Sequence, residues 1–145
     1  MKRLLTLTFL ALLAISCSHG NRVFPLSSKG ANMTYSVGTQ ADLDAANQRV
    51  NEYRQELMRQ GFHTISESFS DSTGAITNAR EEVVLEGQYG KLKDLQVTLW
   101  TTKRLQKDQT EAGGGIHASI VDEEADKDFE TLYKKICFVV TGNAQ

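Results

Sequence analysis

The chain's pattern of apolar residues predicts an α+β fold, a two-layer sandwich in which two amphipathic helices cover a mainly antiparallel sheet of four to five strands. Two observations carry this. Apolar residues recur at helical spacing in two well-separated stretches, after Thr39 and after Asp122, and between them the period drops to two. A helix with one apolar stripe and a strand with one apolar face each need a partner surface, and stacking them in two layers satisfies both.

Met33-Thr34-Tyr35-Ser36-Val37 alternates apolar and polar residues and predicts a first short strand. Thr39 to Gln60 then reads as a helix. Thr39 is an N-cap residue with Asp42 in the acidic position of a capping box, and Asp44 adds charge near the N-terminus. Leu43, Ala46, Val50, Tyr53 and Leu57 form its buried stripe, and Gly61 followed by Phe62 supplies the stop.

From Phe62 the period is two. Ile65 and Phe69 mark a half-apolar strand, and Ser70 to Gly74 is a turn cluster followed by loop to Arg80. Val83 to Tyr89 and Leu95 to Thr101 read as a hairpin, with Gly87 expected at a bulge. Lys103 to Gly115 reads as a polar hairpin loop ending in three glycines. These do not make a phosphate cradle, because Ile116-His117 follows where Lys-Ser or Lys-Thr is needed. Ile116, Ala118 and Ile120 give a last strand. Asp122 caps a second helix whose stripe is Ala125, Phe129, Leu132, Tyr133, Ile136 and Val140, and Gly142 ends it. Cys137 adjoins that stripe as a small apolar residue.

Ahead of this domain, Met1-Lys2-Arg3 is a basic head and Leu4 to Leu13 an apolar run too short to span a bilayer stably. The run closes on Ala14-Ile15-Ser16-Cys17, which resembles the lipobox of bacterial lipoprotein signals. The resemblance covers the signal alone. It implies diacylation of the Cys17 thiol, cleavage just before it, and sorting to the outer membrane facing the periplasm, because Ser18 rather than Asp follows. Ala14-Ile15-Ser16 also fits ordinary signal peptidase, and a Cys17–Cys137 disulfide is the alternative fate of the two cysteines in an oxidising compartment. The expected organisation is a signal over 1–17, a tether over 18–32 and one domain over 33–145.

Of the 145 residues about 128 then remain, enough for one domain. Without Lys2 and Arg3 the mature chain keeps 14 basic against 18 acidic residues, net −4. That balance, with no basic stripe, argues against nucleic acid. The expected partners are the membrane, through the lipid, and another envelope protein.

Trp100 shares its parity with Gln96 and Thr98 and so points away from the helices, either to anchor a partner or to be covered by the tether. No cofactor is expected. The enzymatic alternative is a small hydrolase or metal-dependent enzyme in which His63 and His117 meet with Glu67 across the sheet.

Overall fold

The computed structural model describes residues 26–71, 79–102 and 111–143. Strand β1 (Ser27–Ser36) leads into helix α1 (Gln40–Arg59), then come β2 (His63–Asp71), β3 (Ala79–Glu86), β4 (Lys93–Thr102), β5 (Glu111–Ile120) and helix α2 (Glu123–Thr141). The five strands form one sheet in the order β1-β5-β4-β3-β2, every neighbouring pair antiparallel. The two-layer α+β sandwich is therefore the fold of this chain.

Both helices lie where their caps place them. The Thr39 hydroxyl accepts from the Asp42 amide (3.1 Å) and donates to its carboxylate (2.7 Å), fixing the start of α1. At the other end Gly61 takes φ +98°. Its amide reaches the Met58 carbonyl and the Phe62 amide that of Leu57, the paired bonds of a Schellman stop. Asp122 accepts from the Ala125 amide (2.7 Å) to open α2, and Gly142, at φ +74°, ends it. The Arg49 side chain on α1 donates to the Val139 and Val140 carbonyls (2.8 and 3.0 Å), so one helix caps the other's C-terminus.

One face of the sheet carries Val83, Leu85, Leu95, Val97, Leu99, Ile116, Ala118 and Ile120, all buried. Across it lie Val50, Tyr53 and Leu57 of α1 and Phe129, Leu132 and Ile136 of α2, closing one core. Helix α1 packs on β4 and β5, and α2 on β5 and β1. Tyr133 of the expected stripe is half-buried at the rim, its hydroxyl donating to the Asn32 carbonyl (3.0 Å). Cys137 is buried in α2.

Four expectations need correction. Strand β1 starts at Ser27, inside the stretch expected as tether. Its paired partners run without a break along β5, and backbone pairing overrides the polar composition of Ser27 to Gly30. Ala79 and Arg80 belong to β3, not to a loop. Gly87 lies just beyond β3, where the Phe62 ring occupies the space a Cβ would need. The register shifts sit instead in β2, between Thr64 and Ser66, and in β4, between Lys93 and Gln96. Finally, Gly113, Gly114 and Gly115 are interior residues of β5. Beside Gly114, Ile136 Cγ2 stands 2.7 Å from where a Cβ would be, so the missing side chain lets α2 settle onto the sheet.

Candidate functional site

The face turned away from the helices is polar, and the strand register arranges it in rows. Ser68, Glu82, Trp100, Gly113 and Thr34 make one row across β2-β3-β4-β5-β1. Ser66, Val84, Thr98, Gly115 and Asn32 make the next, and His63, Glu86, Gln96, His117 and Gly30 the one after. Period-two alternation puts these residues together on the side opposite the core positions of β3, β4 and β5, and most of them are polar or small.

Trp100 is the exception in chemistry and sits at the centre. It points away from the helices, yet it is only 6% exposed. The Cε2–Cζ2 edge of its indole lies against Gly113, where a Cβ would collide with both atoms. The Arg80 guanidinium covers the ring at 4.8 Å from its centroid, held by Glu82 (2.9 Å) and Glu111 (3.2 Å). As presented here, Trp100 is a buried centrepiece rather than an exposed anchor. A body approaching this face meets Arg80 and its two carboxylates first. These groups are each more than a third exposed, so the ion pairs contribute about 0–1 kcal/mol each and the stacked cation about 0.5–1 kcal/mol. The indole Nε1–H is buried and has no hydrogen-bond acceptor among the described residues.

The expected meeting of His63, His117 and Glu67 does not occur. His63 on β2 and His117 on β5 share a face and a row, but β3 and β4 lie between them, a separation of roughly 14 Å at the usual strand spacing. His117 instead bonds to the Ser28 hydroxyl (2.5 Å). The β2 bulge also inverts parity. His63 pairs with Glu86, on the polar face, while Glu67 pairs with Val83, on the helix face, where it bonds Arg54 of α1 (2.9 Å). No group of three or more potential metal ligands forms among the described residues.

His63 also borders an open cleft of about 630 Å³ at the end of the sheet, between the α1–β2 turn and the β3–β4 connection. Glu86, Gln88, Lys91, Lys93 and Asp94 line it. Lys91 is already engaged by Glu124, whose hydrogen bond raises the Lys91 pKa, and the Lys91 amide donates to Asp128 (2.7 Å). Lys91 thus ties the β3–β4 turn to α2, and Asp94 accepts from the Ser119 hydroxyl of β5 (3.1 Å).

Sequence reasoning missed the Arg80–Glu82–Glu111 cluster around Trp100. A signal was present: Arg80 and Glu82 are two apart, as same-face neighbours on a strand must be. It becomes legible only once Arg80 is known to lie in β3. Cys17 lies outside the described residues. Comparison with protein-family models, with curated proteins and with solved structures finds no match to this chain.

Proposed function

We propose that this chain is a lipid-anchored binding protein of the bacterial cell envelope, held at the outer membrane by acyl chains on Cys17 and engaging another envelope protein through its sheet. The lipobox-like Ala14-Ile15-Ser16-Cys17 after an apolar run supports the anchor. The observation that carries the binding role is the uneven cover of the sheet. The helices occupy one face over β1, β5 and β4 and leave the outer strand β2 exposed, while on the polar face Asn32, Thr34, Ser66, Ser68 and His117 are exposed around the buried Trp100. That is the form of an interaction module, whose surface is open, rather than of an enclosed site.

Fatty-acid labelling tests the anchor. Label is expected in the native protein and absent from Cys17→Ser, with the native form partitioning into membranes. Each buried methylene contributes about 0.8 kcal/mol, and paired chains hold where a single chain exchanges. A native protein that takes up no lipid and shows a Cys17–Cys137 disulfide overturns the anchor and leaves an exported, soluble protein.

A further inference from the structure

Strand β2 is the outer strand at the end of the sheet remote from β1, and neither helix takes its main packing from it. Every residue from Ile65 to Ser70 is exposed, including Ile65 at 44% and Phe69 at 59%. The bulge interrupts the strand only at its start. From Ser66 to Ser70 it pairs residue for residue with β3 and holds neither lysine nor proline, the residues that commonly blunt an edge. Among the described strands none pairs with its outer edge, which leaves room for one more strand.

The side chains say what kind of strand. Glu67 and Phe69 share the helix-side face, while Ser66, Ser68 and Ser70 leave the other face small and unobstructed. The ribbon of β2 and β3 stays acidic after its ion pairs are counted: Glu67, Asp71, Glu81, Glu82 and Glu86 outnumber Arg80, which bonds Glu82, and Arg54 of α1, which bonds Glu67 (2.9 Å) and lies 3.8 Å from Glu81. A second copy would set this acidic ribbon against itself, which cross-strand charge disfavours; a basic strand is complementary. We propose that the outer edge of β2, Ser66 to Ser70, receives an extended basic segment of a partner protein as a further strand. An apolar residue of that segment packs on Phe69, and a lysine or arginine shares the half-exposed Glu67 carboxylate with Arg54. This surface rests on the binding reading above and deepens it.

The test uses the full chain purified in detergent, with three synthetic heptapeptides as probes: alternating Lys and Val, alternating Glu and Val, and the Lys–Val peptide with a central proline. The Lys–Val peptide is expected to slow amide hydrogen exchange over residues 66–70, with affinity that falls as salt rises. The Glu–Val and proline peptides should bind at least tenfold more weakly. Phe69→Ser, at an exposed position, should weaken the Lys–Val peptide by a similar factor, and Glu67→Lys should reduce or invert the preference for the basic peptide. Equal binding of the acidic and basic peptides, protection that maps elsewhere, or no protection at all overturns the proposal. So does self-association of the chain abolished by Phe69→Ser, which would make the partner a second copy. Fatty-acid labelling of Cys17 is read separately, so loss of the β2 surface and loss of the anchored reading are distinguishable.

Discussion

The Trp100 indole fills the space beside Gly113, its cross-strand neighbour, so a side chain on the polar face of the sheet is buried by the absence of one beside it. Gly113→Ala puts a methyl group where Cε2 and Cζ2 now sit, with the Met33 carbonyl closing the other side. The expected cost is about 1–3 kcal/mol in denaturant unfolding, the range for overpacking. Trp100→Val in the same background should recover part of it, giving a coupling above about 0.5 kcal/mol between the two sites. Strict additivity would mean the ring does not rest on the glycine.

Phe129 is among the largest fully buried side chains, and Lys29 lies 4.6 Å above its ring while bonding Asp126 and Glu130 (2.7 Å each). Phe129→Ala should cost about 3–5 kcal/mol by the large-to-small rule. A loss below about 1 kcal/mol in an equilibrium unfolding comparison would contradict its place between the layers.

Alkaline pH should be the weak side of this fold. Burial pushes the Tyr53 phenol well above its ordinary range. Hydrogen bonds to Asp126 and Glu130 raise Lys29. Both groups hold their proton more tightly when folded. Their stabilisation is complete below the unfolded pKa values, about 10 for each type, and fades as pH rises through the folded ones, because the unfolded chain then gains by deprotonating. Tyr53→Phe should therefore move the alkaline unfolding midpoint upward and leave the acid limb unchanged in a circular-dichroism pH titration. An unmoved alkaline limb would show that Tyr53 ionises as easily in the fold as in water.

His63 and His117 should behave as independent surface residues. With roughly 14 Å between them, His63→Gln and His117→Gln should each shift stability by less than about 0.5 kcal/mol and add in the double variant. Neither change should release a metal. A bound metal lost in either variant would restore the enzymatic alternative.

Local chemistry settled the helices. Thr39 and Asp122 before apolar stripes of period 3.6, and Gly61 and Gly142 after them, name starts, stops and buried faces within a single turn of chain, and those are the boundaries observed. The Leu95/Val97/Leu99 alternation likewise revealed the inner face of β4, and with it the outward direction of Trp100. Three features were decided by tertiary structure alone. The triple glycine resembles a loop in isolation, because glycine has no strand preference of its own; its place in β5 follows from Trp100 on one face and Ile136 on the other, which need the space. Ser27 to Gly30 carries no apolar alternation and becomes strand because β5 offers it hydrogen-bond partners. The candidate constellation of His63, His117 and Glu67 was dissolved by a strand order and a one-residue bulge. Sequence spacing encodes neither, since both depend on which strands lie between and on how the edge pairs.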